Sequence, residues 1–296
     1  MDDAVQSSYV KAGQIASRVR SQAVDMIEEG ALLLDVAEFA ESEIVKLGGK
    51  PAFPVNLAID NVAAHYTPHS EDPLRFKKGQ LVKLDLGAHV DGYIADTAIT
   101  VEVGTNKWKK LIDASSDALD AVLDALRPGI MVRDLGTMIE GIIRSNGFEP
   151  ISNLSGHSLE QYNLHAGLSV PNVSDTTADD LKPGTAVAIE PFATDGVGRV
   201  AGRKSGNIYK LLRLRDLPDE ELTELVYEIH HEFKYLPFPE RWVANRVDKS
   251  DKVLKKLLRR GIVATYPILS EVKGGIVSQK EHTVIMTIDG PIVTTK

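Results

Sequence analysis

The hydrophobic positions of the first fifty residues recur at helical spacing. Residues 9–30 and 32–49 each place apolar side chains about every 3.6 positions. The first stretch ends at Gly30 and the second at the pair Gly48 and Gly49, and glycine is a common residue just after a helix. We therefore predict two N-terminal helices.

The pattern changes to alternation in residues 81–101, LVKLDLGAHVDGYIADTAITV, which predicts two strands. Asp91 and Gly92 form the Asp-Gly pair that is typical of a two-residue hairpin turn. With that loop, opposed positions have numbers that sum to 183, so Asp85 faces Ala98 and Asp96 faces Gly87. Strand alternation then makes the two aspartates diagonal neighbours on one face of the hairpin.

Two carboxylates on a core-facing surface repel each other and lose solvation. The hairpin contains no Lys or Arg that is placed to neutralise both. A bound cation would resolve the conflict, whereas the simpler alternative is that this face is exposed to solvent. The pair alone leaves both interpretations open.

A segment near the middle of the chain repeats the N-terminal pattern. Gly30, Asp35, Glu41 and Gly48 have counterparts 99 residues later, and the strand that contains Asp85 has a counterpart 105 residues later. The matching positions are Gly129, Asp134, Glu140, Gly147 and Glu190. Helices that end at glycine are common enough to match by chance, but we expect a duplication, with two similar halves whose acidic strands meet near an approximate two-fold axis.

Residues 197–268 have a different composition from the rest of the chain. They carry 15 Lys and Arg against 10 Asp and Glu, while the whole chain has a net charge of −8. Two strongly helical stretches lie within them, and strand-like alternation resumes afterwards. We predict one domain formed by residues 1–196 and 268–296, interrupted by a helical insertion at residues 197–267.

The composition excludes several classes of protein. A chain of 296 residues with 43% hydrophobic residues can bury a sizeable core. It has no run near the roughly 20 apolar residues of a membrane helix, and its acidic N-terminus is unlike a signal peptide. The net charge of −8 argues against general affinity for nucleic acids or anionic membranes. We expect a cytoplasmic monomer.

The chain has no cysteine, so a metal ion would have to be bound by His, Asp and Glu. Beside the hairpin aspartates, His157, His165, Glu190 and Glu281 are candidate donors. One imidazole and four carboxylates suit Mn, Fe(II), Co or Zn rather than copper. Such a set can hold two ions about 3.5–4 Å apart and predicts hydrolysis by metal-bound hydroxide.

Five segments, in order along the chain, resemble the signatures of type II methionine aminopeptidases of archaeal style. They are FPVNLAIDNVAAHYTPHSED, KLDLGAHVDGYIADTAITV, GHSLEQYNLHAGLSVPN, AVAIEPFATDG and KEHTVIM. The resemblance covers nearly the whole chain. It implies the α+β pita-bread fold, with duplicated halves around a central antiparallel-rich sheet and the helical insertion of type II enzymes.

The resemblance also implies the roles of individual residues. The ligands of two divalent metal ions (Co, Mn, Fe(II) or Zn) would be Asp85, Asp96, His157, Glu190 and Glu281, with Asp96 and Glu281 bridging both ions. His65 and His165 would contact the substrate and polarise the scissile carbonyl, and Phe53 and Tyr266 would line the methionine pocket. A water activated by the metals would attack the first peptide bond, while Glu190 carried its proton to the leaving amine.

The implied function is the co-translational removal of the N-terminal methionine from nascent proteins with a small second residue. One alternative is a catalytically inactive relative that binds nucleic acid or ribosomes, which the presence of all five ligands disfavours. Another is a proline-specific dipeptidase or aminopeptidase, which we disfavour because only about fifty residues precede PAFPVN. A ribosome contact through the basic helix that ends in KKLLRR is a weaker expectation than a solvated helix.

The remaining histidines are expected to lie outside the site. His230 and His231 belong to a Glu-rich helix of the insertion, where a solvated face is the simplest interpretation. His69 and His89 are likewise expected to lie outside the site. His282 follows Glu281 directly, so strand alternation should turn its ring to the opposite face.

Overall fold

In a computed structural model of the protein, residues 1–244, 247 and 249–296 are described, and Arg203 is described by its backbone alone. The helices are α1 (Asp3–Val24), α2 (Leu33–Lys46), α3 (Lys109–Ala125), α4 (Val132–Ser145), α5 (Glu220–Phe233), α6 (Glu240–Ala244) and α7 (Ser250–Arg259). The strands of the first half are β1 (Lys50–Pro51), β2 (Asn56–Ile59), β3 (Val62–Ala64), β4 (Leu81–Val90) and β5 (Tyr93–Glu102). The later strands are β6 (Glu149–Pro150), β7 (Ser155–Leu159), β8 (Ser169–Pro171), β9 (Ala186–Ile189), β10 (Phe192–Thr194), β11 (Val200–Leu211), β12 (Phe238–Pro239), β13 (Val263–Glu271), β14 (Val277–Gln279), β15 (His282–Thr287) and β16 (Gly290–Val293).

The two predicted N-terminal helices are present, although the first ends earlier than its hydrophobic pattern indicates. The Asp2 side chain caps α1 by accepting a hydrogen bond from the Val5 amide at 2.8 Å. The helix then stops six residues before Gly30. The Gly30 amide donates to the Phe76 carbonyl at 2.9 Å, so the chain after α1 is bonded to a distant loop instead of continuing the helix.

The hairpin of β4 and β5 has the predicted register. Asp85 pairs with Ala98 and Gly87 pairs with Asp96. Both turn residues adopt left-handed φ angles, 52° at Asp91 and 87° at Gly92, as a two-residue turn of this type requires. The turn sequence therefore fixes which face of the hairpin carries the two aspartates.

The internal repeat is confirmed by the secondary structure and the strand register. α2 and α4 each span 14 residues, and their bounds differ by 99 positions. Lys50 pairs with His89 in the first half, and the residues at the expected offsets of 99 and 105, Glu149 and Thr194, pair in the second. All the strand pairings described are antiparallel, in agreement with the predicted α+β fold.

The second half differs from the first in one respect that matters for the site. The long strands β4 and β5 correspond to two broken pairs, β9 with β10 and β14 with β15. Pro191 lies in the first break, and proline has no amide hydrogen for a strand ladder. Glu190 lies in this first break, and Glu281 lies in the second, between β14 and β15.

Each half packs its helices on one side of its strands. α1 and α2 cover the first hairpin around Val19, Leu33 and Leu84, and α3 and α4 cover the second half around Leu119, Leu135 and Val187; all six side chains are fully buried. Burial of such side chains is the main source of stability for this layered arrangement.

The segment between the broken strands forms a core of its own. β11 and β13 pair along their length, and α5, α6 and α7 lie between them in the chain. Leu225, Val226, Phe238, Leu254 and Leu257 pack together there. β13 also pairs with β3, through Leu269 with Ala64 and Ser270 with Val62, which links the C-terminal end of β13 to the first half. The exact limits of the insertion, residues 197 and 267, stay a prediction.

In the part of the chain that the structure describes, none of the helices combines the length and apolar character that crossing a bilayer requires.

Candidate active site

One cavity brings together all nine residues that the sequence predicts for the site. They are Phe53, His65, Asp85, Asp96, His157, His165, Glu190, Tyr266 and Glu281. The cavity has a volume of about 240 Å³, below the roughly 300–1,000 Å³ of pockets that enclose drug-sized ligands. A space of this size suits one side chain and the adjoining peptide bond.

The metal-ligand candidates lie close enough to share a cation. His157 Nε2 lies 3.7 Å from Asp96 Oδ2 and 3.9 Å from Glu190 Oε1. One donor atom from each of Asp96, His157 and Glu281 lies within 4.8 Å of the other two. Asp85 joins them through β4, because strand alternation places it diagonally from Asp96.

Hydrogen bonds between the halves fix the backbone beneath these donors. The Asp96 amide donates to Thr283 Oγ1 at 2.8 Å, and that hydroxyl donates to the Asp96 carbonyl at 2.9 Å. The Thr97 hydroxyl donates to the Glu281 carbonyl at 2.9 Å. These contacts join the first hairpin to β15, so carboxylates from distant parts of the sequence face one another.

Several buried polar atoms in the cluster have no hydrogen-bond partner among the described residues. They include Asp85 Oδ1 and Asp96 Oδ1. Leaving a buried carboxylate oxygen unsatisfied is costly, and in native proteins such groups are usually paired or coordinate a metal ion. Four carboxylates and one imidazole therefore fit a hard or borderline divalent cation well.

Without a cation, burial and mutual repulsion raise the pKa values of the four carboxylates. Burial raises the pKa of Asp85 to about 7, and the nearby Gln279 amide offsets only part of this effect. Burial, followed by repulsion from neighbouring carboxylates, also raises the pKa values of Asp96, Glu190 and Glu281 well above their usual range. A bound cation would replace these protons.

The ligand candidate His157 is held in the neutral form that metal binding requires. Burial is the main cause that lowers its pKa, to about 4. Its ring centroid lies 4.4 Å from that of His165. The pKa of His165 is also lowered, first by desolvation in the pocket and then by His157.

His65 also lines the cavity, in a conformation that few non-glycine residues adopt. Its φ is 65°, a left-handed value that is found most often where function requires it. Nδ1 lies 3.2 Å from the Pro267 carbonyl oxygen. Because a carbonyl only accepts, Nδ1 must be the donor, which leaves Nε2 of the neutral ring as an acceptor.

Aromatic side chains form the apolar wall. The Tyr266 ring lies 5.2 Å from His65 and 6.2 Å from His165, measured between centroids. Phe53 packs directly over Gly87, where an added Cβ would lie only 2.4 Å from the ring. The glycine opposite Asp96 therefore makes room for Phe53 beside the carboxylates.

The five other predicted non-site histidines are absent from the lining of the cavity. His282 Nδ1 lies 2.8 Å from Thr295 Oγ1, on the opposite face from Glu281, as alternation predicts. His89 Nδ1 accepts from the Gly92 amide within the hairpin turn. His69 lies beside Asp72, while His230 and His231 belong to α5.

Gln279 is a site residue that the sequence interpretation missed. Its Nε2 donates to Glu190 Oε2 at 3.1 Å and to Glu281 Oε2 at 3.4 Å. The available signal was its place two residues before Glu281, since residues at that spacing tend to share a face. Asn56, which pairs with Asp85 and also lines the cavity, was missed as well.

Comparisons with known proteins agree with this geometry. The family model for metallopeptidase family M24 matches residues 7–233. A curated methionine aminopeptidase from Methanocaldococcus jannaschii is 49% identical over 288 residues, which cover 97% of this chain and 97% of the relative.

Two solved structures share the fold. A methionine aminopeptidase from Thermotoga maritima matches with a TM-score of 0.73 and 22% identity over 100% of this chain and 98% of that one. A thermophilic Arx1 matches with a TM-score of 0.84 and 14% identity over 99% and 91%.

Proposed function

We propose that the side-chain oxygen and nitrogen donors in the cavity hold two divalent metal ions, because this chain belongs to metallopeptidase family M24 and, within it, to the methionine aminopeptidases. It is a metal-dependent hydrolase that removes N-terminal methionine. The proposed ligands are Asp85, Asp96, His157, Glu190 and Glu281. The observation that carries the proposal is the convergence of these five donors in one cavity, with buried carboxylate oxygens that lack a partner among the described residues.

Asp96 and Glu281 are the best candidates to bridge the two ions. Both are buried, and each offers an oxygen within 4.8 Å of the other and of a His157 nitrogen. Asp85 and the pair His157 and Glu190 would then complete the two sites. When bound, the ions would activate a water molecule and polarise the carbonyl of the first peptide bond.

The side chains of the chain manage the proton and the developing charge. We assign to Glu190 the transfer of a proton from the attacking water to the nitrogen of the leaving amine, because its carboxylate lines the cavity beside the other proposed donors. A neutral His165 can donate one hydrogen bond to the carbonyl oxygen, whose negative charge increases as the water oxygen adds to the carbonyl carbon. The free Nε2 acceptor of His65 suits a substrate N–H group.

Recognition of methionine is assigned to the apolar wall. Phe53 and Tyr266 flank the cavity, and Ile208 and Leu164 also line it. The small volume favours binding of one side chain, which supports cleavage after a single residue. The preference for a small second residue is proposed from the chain's membership of the methionine aminopeptidases. A free α-amino group at the donor cluster would make the reaction strictly exo-acting.

The biological setting is also part of the proposal. We infer that the substrates are nascent proteins in the cytoplasm and that the enzyme acts as a monomer. Ribosome contact stays a prediction, with exposed basic residues of α7, such as Lys252 and Lys255, as its candidate surface. The two alternative functions, an inactive binding protein and a proline-specific peptidase, are not favoured by the comparisons.

A peptide assay with controlled metal content tests the proposal. Metal-depleted protein is incubated with Met-Gly-Ser or Met-Leu-Ser while Mn, Co, Fe(II) or Zn is added back, and free methionine is measured. We expect release only with metal and mainly from Met-Gly-Ser.

N-acetylated Met-Gly-Ser is the matched control, because it keeps the peptide bond and removes the free amine. Equal cleavage of the acetylated peptide would contradict the proposed exo-specificity. Full activity in the absence of divalent ions would contradict the metal site itself.

A further inference from the structure

The internal repeat relates Gln279 to Asp96. Asp96 pairs with Gly87 in the first half, and Gln279 pairs with Phe192 in the second. Gly87 and Phe192 are 105 positions apart, the same offset that relates Asp85 to Glu190. The second half thus has a neutral amide at the position where the first half has a carboxylate.

The Gln279 side chain is buried against the cluster. It is only 1% exposed, and its Nε2 donates to one oxygen each of Glu190 and Glu281. Its backbone amide donates to Thr100 Oγ1 at 2.8 Å, and the same hydroxyl donates to the Gln279 carbonyl at 2.7 Å. A donor fixed in this way can determine how both glutamates are oriented.

We propose that Gln279 is a positioning residue that orients Glu190 and Glu281 for metal binding and limits the cluster to four carboxylates. The inference rests on the proposed metal site. By binding Oε2 of each glutamate, the amide leaves Oε1 of each available to an ion. A carboxylate in its place would remove both donated bonds and add a fifth carboxylate to the four already present.

The decisive variant is Gln279→Met, which keeps a similar length and volume but cannot donate a hydrogen bond. Loss of a residue that orients metal ligands typically lowers metal affinity by about 10- to 100-fold. We expect a loss of that size when metal-depleted protein is titrated with Mn²⁺ by calorimetry. Gln279→Asn, whose amide is one methylene shorter, serves the same comparison if the methionine variant does not fold.

Ser278→Ala is the matched control on the same strand. Ser278 is buried, and its hydroxyl donates to the Leu111 carbonyl at 2.7 Å, away from the cluster. The change should lower thermal stability but leave the Mn²⁺ dissociation constant within about twofold of the original protein, since it touches no ligand. A comparable loss of affinity in Ser278→Ala would mean that Gln279 acts only through the stability of β14, which overturns the proposal.

Gln279→Glu separates orientation from charge. It should still bind Mn²⁺ yet turn over Met-Gly-Ser at least about tenfold more slowly, because neither glutamate keeps its donor. Unchanged affinity in Gln279→Met together with unchanged turnover in Gln279→Glu would overturn the inference. Asp96→Asn, measured in the same titration, identifies which idea has failed, because retention of Mn²⁺ by that variant would instead contradict the metal site.

Discussion

The two halves of the catalytic fold share a backbone register but not a set of side chains. Ala58 and His157 occupy equivalent positions, as do Ala98 and Glu281. The first hairpin is continuous, whereas its counterpart is broken at Pro191 and before Glu281. The repeat therefore places equivalent backbone positions of the two halves around a common axis. Because the side chains at these positions differ, the site is asymmetric and contains one imidazole and four carboxylates.

The strongest test of this asymmetry is Asp96→Asn, which makes the first half resemble the second at the position of Gln279. We expect turnover of Met-Gly-Ser to fall by at least about 1,000-fold, because the variant removes the charge of the carboxylate that we propose to bridge the two metal ions. The hairpin should remain folded, since its backbone bonds do not involve the carboxylate. Circular dichroism and methionine release measure the two effects, and near-normal turnover would contradict the ligand assignment.

The two histidines that are not proposed as ligands, one from each half, provide the next comparison. His65→Ala and His165→Ala should each lower kcat/KM by about 100- to 1,000-fold, the usual effect of removing one stabilising hydrogen bond at the reacting group. Both variants should retain bound metal, as measured by elemental analysis. If His65→Ala lost its metal, His65 would be a ligand and its proposed role would be wrong.

Carboxylates from both halves should make metal binding depend on pH. The pKa of Asp85 is about 7 in the folded, metal-free protein against an ordinary 3.8. The folded state therefore binds more protons than the unfolded state between these values, so the stability of the metal-free protein should fall as pH rises through this range. Mn²⁺ affinity should rise instead, by about tenfold per pH unit for each proton displaced.

Calorimetric titrations and urea unfolding between about pH 5 and about pH 7 measure both trends. The metal-free Asp85→Asn variant is a suitable control, since it should show a weaker loss of stability over this range. A metal affinity that did not change with pH would indicate that the cluster is already ionised.

The smallest predicted effect concerns the equivalent residues Glu41 and Glu140. Glu41 is buried and bonds to Arg241, to Trp242 Nε1 at 2.8 Å and to the Val55 amide at 3.0 Å. Glu41→Gln should therefore lower the free energy of unfolding by about 3 kcal/mol, because the buried Arg241 loses the negative charge that compensates it. Urea unfolding measures the loss.

Glu140 provides the matched surface position. It pairs with Arg144 at 2.8 Å and remains 20% exposed, so Glu140→Gln should cost less than about 1 kcal/mol. Equal losses from the two variants would show that the buried network between α2 and α6 does not carry the stability that its contacts indicate.

Sequence reasoning succeeded where local rules apply. The Asp91–Gly92 turn determined the register of the first hairpin, and the constant offsets revealed the repeat. It failed where distant segments decide the outcome. The bond from Gly30 to Phe76 accompanies the early end of α1, and the role of Gln279 depends on Glu190, which is 89 residues away.

β13, which contains Tyr266, pairs with β3, and His65 directly follows β3 in the chain. The proposed methionine pocket thus takes Tyr266 from the predicted insertion, while every proposed metal donor comes from outside it. Substitutions in the insertion are therefore expected to change the preferred substrate and to leave metal binding intact.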